Sequence, residues 1–518
     1  MKAPKLLFAA NLIIFVTFMS PIGYIIWRFF TFSRSLSSFF ESWDVISLFL
    51  NTISLFFAVV LTSLFIGLFV SIVLTRIDIK GSTIWFTLCA LPLVIPSYIG
   101  ALTYVSAFSP KGLFVQLFRG QGLTEIAGLD GFIGSWLVLS LFTYPYVQLI
   151  CSSALKNLDV SVEEAARSLG RSRLQVYTSV VLPRLKKPII FSGLLVGLYV
   201  ISDFGAVSLM RYSTVTKAIY SYYTFKIDGD PVIFYSGLLM MLALALSVLQ
   251  RSTRLARSAA VSGTPRLARK QEVSRRNKII IYIVLIGLIT LSLILPISVL
   301  SYWLIRGLNA GNDVRAAFGG VVGSFAASSV TSIAAIFVAT PVVIMISQYR
   351  SRLGRFIERV MLALYGLPHI AVGVSLLFIS IKIFPSIYQS FYALVISYLI
   401  VFLPQAVGAG EASMEQVRRS YLDASQGLGM SEFETFRKIT FPLIYRGLIA
   451  GGALVFLSTM KELPQTLLLR PTGLNTMAVD IWSYASEGMF TQAAFSSFIL
   501  LAISAFPTYI LSTRDLVK

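Results

Sequence analysis

The sequence predicts an all-α polytopic membrane protein, with about twelve transmembrane helices in two parallel six-helix halves. Its 518 residues are 56% hydrophobic and 13% charged, whereas soluble domains carry roughly 25% charged residues. The apolar residues form runs that reach the roughly 20 residues a helix needs to cross a bilayer. These runs are continuous rather than alternating, which excludes a transmembrane β-barrel. A short polar segment also occurs twice, half a chain length apart, which indicates a duplication.

Twelve apolar runs predict the spans in order. They lie near residues 6–30, 45–74, 84–108, 132–155, 188–210, 232–250, 279–304, 321–347, 359–384, 390–412, 447–469 and 490–513. The first run follows Lys2 and Lys5 and is too long for the core of a signal peptide, so we expect a spanning helix there. Prolines within the runs, such as Pro96 and Pro368, are expected to be static kinks that neighbouring helices accommodate.

The placement of basic residues predicts the orientation of the chain. Its net charge is +20, and Lys and Arg concentrate in loops near residues 76–80, 156–187, 251–278, 350–359 and 418–446. All of these loops fall on the side that carries both termini, and the positive-inside rule makes that side the cytoplasm. The basic residues also predict contact with anionic lipid headgroups of the bilayer. No recognisable nucleic-acid module accompanies the charge, so we expect no nucleic-acid partner.

The basic linker divides the chain into two halves. The predicted domains are a first half at 1–250 with a polar loop at 156–187, a linker at 251–278, and a second half at 279–518 with a polar loop at 413–446. An even number of spans in each half makes the two halves parallel. Pro404 lies 259 residues after Pro145 (404 − 145), whereas Pro368 lies 272 residues after Pro96 (368 − 96). The first half therefore carries 13 extra residues, which we place in the external loop near 109–131.

The two polar loops share a helix–turn–helix pattern. The shared positions are Glu164, Ala165, Ala166 and Gly170 in the first loop and, 259 residues later, Asp423, Ala424, Ser425 and Gly429 in the second. Capping-box patterns that start helices occur at Ser161, Ser172, Ser420 and Ser431. The glycine fits the left-handed position that ends the first helix, and we expect the second helix to end at Pro183 or Pro442. One capping box is common in ordinary loops, but four in one register favour a repeated cytoplasmic protrusion.

The motif E-A-A, three residues, Gly and later Leu-Pro resembles the coupling loop of ABC importer permeases, and the resemblance covers nearly the whole chain. It implies that two ATP-binding subunits dock on the two loops, at Glu164 and Asp423 and their neighbours, and that a periplasmic substrate-binding protein delivers the cargo. The second loop departs from the motif, because Asp423-Ala424-Ser425 replaces Glu-Ala-Ala. The chain has no G-x-x-x-x-G-K-[ST] phosphate loop. We therefore expect no enzyme activity and no cofactor in this chain, with ATP and Mg²⁺ on the partner.

A carboxylate inside the fifth span of each half is followed eight residues later by an arginine. These residues are Asp203 and Arg211 in the first half and Glu462 and Arg470 in the second. Ionisable residues at membrane depth are costly and usually face a bundle interior or a cavity, so a substrate pathway or gate is one interpretation. A structural ion pair, or arginines that reach the interface, is the alternative.

The same stretches, "SDFG" and "KELP" with "TLLLRP", resemble those of ferric-iron permeases. Hard oxygen ligands suit Fe(III), which makes Asp203 and Glu462 candidates for metal contact. Related permeases for thiamine, polyamines and phosphonates share much of the pattern, so the cargo stays open among them. His369, the single histidine, is more typical of a packed or hydrogen-bonded residue than of a metal ligand.

The sequence therefore predicts the fused permease of an ABC importer in a bacterial inner membrane, with ferric iron as the favoured cargo. A secondary active transporter with twelve spans is the main alternative from another class. It does not explain the paired loops, and it predicts relay charges in several spans, which are scarce here. A membrane scaffold or receptor subunit is a further alternative.

Overall fold

The computed structural model describes residues 4–31, 45–110, 112–118, 128–159, 161–226, 229–252, 270–349, 354, 356–357, 360–361 and 366–516. Most of the predicted linker at 251–278, part of the external loop near 109–131 and the start of the ninth predicted span lie outside these residues. Throughout the described ranges the regular structure is helical, apart from one isolated bridge between Ile77 and Gln271. The predicted all-α class is confirmed.

The helices of the first sequence half are α1 (Lys5–Phe30), α2 (Val45–Arg76), α3 (Ser82–Ala90), α4 (Ser97–Phe108), α5 (Leu113–Phe118), α6 (Gly131–Lys156), α7 (Ser161–Ser168), α8 (Arg173–Val176), α9 (Leu182–Ser202), α10 (Gly205–Leu209), α11 (Val215–Ser221) and α12 (Gly229–Ser252). Those of the second half are α13 (Arg275–Ile289), α14 (Leu295–Asn309), α15 (Ala317–Ser347), α16 (His369–Lys382), α17 (Phe391–Met414), α18 (Arg419–Gly427), α19 (Glu432–Thr435), α20 (Phe441–Met460), α21 (Pro464–Leu469), α22 (Met477–Ser486) and α23 (Phe490–Leu516).

The chain is a multi-pass membrane protein, but the predicted count of twelve spans is not confirmed. Among the described residues, nine helices are long and apolar enough to cross a membrane. Counted as one broken span, the helix pair Ser82–Val94 and Ser97–Phe118, whose parts are bent by 91°, brings the number to ten. The remaining two predicted spans correspond to shorter apolar helices, His369–Lys382 and Phe490–Ala505.

One compact unit comprises residues 39–218 and 242–311, and we call it the first-half unit. Its core includes Val70, Leu74 and Tyr144, which cluster with Leu285 of α13. The hydroxyl of Tyr104 donates to the carbonyl of Leu291 at 2.9 Å. The first spanning segment of the second sequence half therefore packs within this unit.

The other compact unit comprises residues 1–38, 219–241 and 312–518, and we call it the second-half unit. Helix α1 belongs to it because its polar residues find partners there. The fully buried Asn11 donates from Nδ2 to the carbonyl of Pro341 at 3.1 Å, and Arg28 pairs with Asp230 at 3.0 Å. A polar group in a span is costly without a partner, so these contacts hold α1 in place. The two compact units are therefore not the two sequence halves on either side of the linker, because residues 1–38 and 219–241 belong to the second-half unit and residues 279–311 to the first-half unit.

Small residues bring the central helices of each unit close together. A Cβ at Gly67 of α2 would lie 2.9 Å from the carbonyl oxygen of Tyr144 in α6. In the second-half unit, a Cβ at Gly451 of α20 would lie 2.7 Å from Cα of Ala406 in α17. Both approaches exclude any side chain, as is typical of membrane helices that associate through backbone contact. Each unit thereby has a closely packed helix bundle from which a polar loop extends.

Candidate functional site: the coupling loops and the broken fifth spans

The two polar loops, 156–187 and 413–446, which we call the coupling loops after the resemblance noted above, have the same backbone. Each has a short first helix, α7 or α18, that ends in a glycine with positive φ, 82° at Gly170 and 79° at Gly429. After each glycine, a backbone hydrogen bond spans six residues. The N–H of Arg171 donates to the carbonyl of Ala166 in the first loop, and the N–H of Met430 donates to the carbonyl of Ser425 in the second. A Cβ at either glycine would meet nothing within 4 Å. The left-handed backbone, rather than space, therefore requires glycine, as predicted.

Two of the four predicted capping boxes are confirmed. Ser431 and Glu434 form a reciprocal box at the start of α19. In the first loop, Ser172 accepts from the N–H of Gln175 at 3.4 Å, and Gln175 Oε1 accepts from the N–H of Ser172 at 2.9 Å. Helix α7 does start at Ser161, but the N–H of Ser161 donates to the carboxylate of Asp159 at 3.0 Å.

The prediction of a cap at Ser420 is wrong, because α18 begins at Arg419 and Ser420 lies inside its first turn. The prediction that each second helix ends at its proline is also wrong. A π-helical segment, 177–181 or 436–440, follows the short second helix and leads directly into α9 or α20.

The N–H of Leu182 bonds to the carbonyl of Tyr177, and Phe441 bonds in the same way to Phe436. This widened turn lets Pro183 and Pro442 follow as the second residue of a helix without a clash against the preceding turn. Each coupling loop is thus a continuous extension of the fifth span of its half.

The motif residues of each first helix divide between an outer and an inner face. Glu164 and Ala165 are exposed, as are Asp423 and Ala424. The third motif residue is buried in both loops: Ala166 is 8% and Ser425 2% exposed. Among the motif residues of the two first helices, Ala165, Ala424 and the two acidic residues are therefore accessible, whereas the third residue packs inside its loop.

The two fifth spans were predicted as continuous helices with a carboxylate inside, and here the prediction is wrong. Helix α9 ends at Ser202 and the short α10 starts at Gly205, with Asp203 in the gap. In the second half, α20 ends at Met460 and α21 starts at Pro464, with Glu462 in the gap. Each span breaks at its carboxylate because the side chain takes backbone N–H groups that start a new helix. Discontinuous helices of this kind line substrate and ion sites in many transporters.

Asp203 joins two broken spans of the first-half unit and is only 8% exposed. Its Oδ1 accepts from the N–H of Ala206 at 3.0 Å and of Val207 at 3.4 Å. The hydroxyl of Ser97, the first residue of α4, donates to its Oδ2. The carboxylate therefore lies where two helices begin, and the positive ends of their dipoles favour a negative charge there.

Glu462 has the same position in the second-half unit and is 5% exposed. Its Oε1 accepts from the N–H of Gln465 at 3.2 Å, at the start of α21. Its Oε2 lies 2.7 Å from Nδ1 of His369, the first residue of α16. Ser97 and His369 occupy matching places, since each directly follows the proline of the pair Pro96 and Pro368. The two halves thus hold one carboxylate each, one through a hydroxyl and the other through an imidazole.

The predicted arginines lie apart from these contacts. Arg211 is exposed and has a left-handed backbone, with φ 57°, just after α10. Arg470 follows α21 and donates to Oδ1 of Asn475 at 2.7 Å. The structure therefore places the carboxylates at the starts, and the arginines at the ends, of the two short helices. No group of three or more His, Cys, Asp or Glu side chains that could hold a metal ion occurs within the described part of the chain.

Sequence reasoning missed Ser97 as a partner of Asp203 and treated His369 as an isolated residue. The offset of 272 residues that relates Pro96 to Pro368 also relates Ser97 to His369. That relation was available from the sequence and would have shown that the two residues are equivalent. Their contact with the carboxylates required the structure.

Comparison with known proteins gives one family match, in two stretches. The model of the family "binding-protein-dependent transport system inner membrane component" matches residues 44–260 and 331–514, which is well over half of the chain. The stretches fall one in each sequence half, which supports a duplication.

Relatives fall into a long match and several shorter ones. The chain is 29% identical over 465 residues to the Fe(3+)-transport system permease protein FbpB 2 of Haemophilus influenzae, a match that covers 89% of this chain and 88% of the relative. It is 33% identical over 141 residues to the sulfate transport system permease protein CysT of Salmonella typhimurium, or 27% of this chain and 50% of the relative. It is 31% identical over 156 residues to the maltose/maltodextrin transport system permease protein MalF of Vibrio vulnificus, or 28% of each chain.

Proposed function

This chain belongs to the family of binding-protein-dependent transport system inner membrane components, and we propose that the importer it serves carries ferric iron. Its function is that of the transmembrane permease subunit of an ABC importer. The family decides against a secondary transporter and against a scaffold without transport function. What remains to be proposed is how the chain couples to ATP, what it carries and which of its residues do so.

The observation that best supports coupling to ATP is the pair of loops with one backbone and one exposed face. We propose that an ATP-binding subunit docks on each loop, on the face that carries Glu164 and Ala165 in the first and Asp423 and Ala424 in the second. ATP and Mg²⁺ then belong to those partners, since this chain has no phosphate loop of its own. Each loop continues without interruption into a fifth span, so movement of a docked subunit is passed to the broken region that holds Asp203 or Glu462.

Ferric iron is supported by the extent of the match to the iron permease, which spans nearly the whole of both chains. The sulfate and maltose relatives match over less than a third of this chain. The chemistry agrees, because carboxylates such as Asp203 and Glu462 are hard oxygen ligands that suit a hard cation in transit. Thiamine, a polyamine and a phosphonate are the cargoes to try if iron fails.

We further propose that Asp203 and Glu462 lie on the substrate pathway or form its gate. Both are nearly buried at a helix break, and each is oriented by the first residue of another apolar helix, Ser97 of α4 or His369 of α16. Arg211 and Arg470 then lie at the external ends of the short helices. A periplasmic substrate-binding protein docks on that external face, and both termini lie in the cytoplasm of a bacterial cell with the permease in its inner membrane.

The test is ATP-dependent uptake of radiolabelled ferric iron in cells that carry the permease with its ATP-binding and substrate-binding partners. We expect Gly170→Ala to abolish most uptake, because an alanine at φ 82° strains the loop. Gly311→Ala is the matched control, since Gly311 has φ 78° and equally open surroundings but lies outside both loops. Glu164→Ala tests the exposed face of the same loop and should reduce uptake without reducing the amount of permease.

Two results would contradict the proposal in different ways. An assembled complex with active ATPase that takes up no iron rules out iron, and thiamine is then tested next. Iron uptake that is indifferent to Gly170→Ala and Glu164→Ala would rule out the first loop as the docking site.

A further inference from the structure

A buried ion pair anchors the first coupling helix to the spans behind it. Nη2 of Arg76, the last residue of α2, lies 2.7 Å from Oε1 of Glu163 in the first turn of α7. The two side chains are 3% and 5% exposed. The same Nη2 also donates to the carbonyl of Leu155, near the end of α6, at 3.2 Å. One guanidinium group therefore joins three elements: two membrane spans and the coupling helix.

Burial of the ion pair between Arg76 and Glu163 costs desolvation free energy. Two charges leave water only if their geometry is good and their remaining hydrogen-bonding groups are satisfied, and removal of one partner leaves an uncompensated charge. Arginine suits the site because its planar group donates in fixed directions to both the carboxylate and the carbonyl. The connection between α7 and the spans therefore depends on Nη2 of this one guanidinium group, since the buried Nε of Arg76 has no hydrogen-bond partner among the described residues.

The last residues of the basic linker attach to the same place. The N–H of Gln271 donates to the carbonyl of Arg76 at 2.8 Å, and the N–H of Asp78 donates to the carbonyl of Gln271 at 2.9 Å. These bonds form the isolated bridge between Ile77 and Gln271. The backbone at Arg76 is therefore held from one side by the linker while its side chain holds the coupling helix.

The second half has different residues at the equivalent positions. The offset of 272 residues places Gln348 opposite Arg76, and the offset of 259 places Leu422 opposite Glu163. Gln348 donates from Nε2 to the hydroxyl of Thr440, in the π segment after α19, at 3.3 Å. Neither position carries a charge, so an ion pair of this kind cannot form between them.

We propose that Arg76 and Glu163 are positioning residues that transmit movement of the first coupling helix to α2 and α6, and that the two coupling loops therefore contribute unequally to coupling. The inference rests on the proposed docking of ATP-binding subunits at these loops. The proposal gives a role to Glu163, which is buried although the neighbouring motif residue Glu164 is exposed.

The test measures cargo transported per ATP hydrolysed by the whole complex reconstituted in lipid vesicles. The cargo is whichever one the wild-type complex transports, so an incorrect choice of iron does not affect the comparison. Glu163→Gln keeps the shape of the side chain and removes its charge. We expect it to assemble with the ATP-binding subunits and hydrolyse ATP, while transport per ATP falls at least about fivefold, the lower end of typical coupling effects.

Two control variants separate coupling from structure. Gln348→Ala, at the equivalent position of the second half, removes an uncharged contact with Thr440 and should lower transport per ATP much less than Glu163→Gln does. Asp78→Asn removes a carboxylate two residues from Arg76 that is 54% exposed, and it should leave the ratio unchanged. The exchange Arg76→Glu with Glu163→Arg restores opposite charges and should recover much of the ratio that Glu163→Gln loses.

Each outcome decides the proposal. An unchanged ratio in Glu163→Gln, or an equal fall in Gln348→Ala, overturns it. If Glu163→Gln fails to assemble, the exchanged pair is measured instead, and an assembled exchange variant without recovery of the ratio also overturns it. A wild-type permease that binds no ATP-binding subunit contradicts the proposed function itself, before any variant is compared.

Discussion

The two coupling loops have one backbone but are closed by different chemistry. In the first loop Ala166 and Val176 are buried in an apolar cluster with Leu155. In the second loop the equivalent residues are Ser425 and Thr435, whose hydroxyl oxygens lie 2.9 Å apart and are nearly buried. An apolar contact fills the inside of one loop, and a hydrogen bond fills the same place in the other.

This difference shows which features of a duplicated loop its geometry requires. Both copies keep the glycine with positive φ, the capped second helix and the π segment before the proline. These three features together set the path of the backbone, so a change in any one of them would alter the shape of the loop. Side chains that close the loop can change, provided that both partners change together, because a lone buried hydroxyl is costly. The first loop has in addition the ion pair of Arg76 with Glu163.

The largest expected effect on stability comes from breaking that ion pair. Glu163→Ala leaves the guanidinium of Arg76 buried without its partner, and we expect a loss of about 3–5 kcal/mol. Leu422→Ala, at the equivalent half-buried position, should cost about 1 kcal/mol. Thermal unfolding of the solubilised permease measures both. Equal losses of stability in Glu163→Ala and Leu422→Ala would show that the ion pair does not make the two loops different in stability.

An intermediate effect is expected from the hydroxyl pair of the second loop. Ser425→Ala leaves the hydroxyl of Thr435 buried without this partner and should cost about 1–3 kcal/mol. Ser425→Ala combined with Thr435→Val recreates the apolar pair of the first loop and should recover most of that loss. A double variant that is less stable than the single one would show that the two loops differ in more than their chemistry. The readout is again the unfolding temperature.

The smallest effect, equal in both loops, is expected at the confirmed helix caps. Ser172→Ala and Ser431→Ala each remove one capping side chain, and each should cost about 1 kcal/mol. Ser161→Ala is the matched control, because Ser161 is the first residue of its helix rather than the cap, and its change should stay within about 0.5 kcal/mol. A clear difference between Ser172→Ala and Ser431→Ala would break the claim that the two backbones are equivalent.

Much of the fold was predictable from the sequence because the relevant interactions are local. Outside the two fifth spans, apolar runs place most of the long helices of the described residues near their observed positions, and the turn at Gly170 follows from residues beside it. The breaks at Asp203 and Glu462 were missed because an apolar run with one carboxylate resembles a continuous span. The passage of the chain through Pro183 was missed for a similar reason: proline normally ends a helix, and a π segment that accommodates it has no clear sequence pattern.

The candidate site was predictable only in part. The motif residues around Glu164 and Asp423 follow from the duplication, and the structure places the first two of each loop on the exposed face. Their docking role stays a prediction. The contacts of the carboxylates were not predictable, since Ser97 and His369 resemble ordinary residues after a proline.

The sequence by itself determined that this chain is a duplicated, all-helical membrane protein with one capped polar loop in each half. Those features depend on composition, on periodicity, on the repeat of one motif at a fixed offset and on hydrogen bonds between residues three to five apart. Only the tertiary structure decided which buried charges are paired. Asp203 meets Ser97 across 106 residues, Glu462 meets His369 across 93, and Glu163 meets Arg76 across 87. A buried charge requires a partner, but only the packing of the helices selects which one.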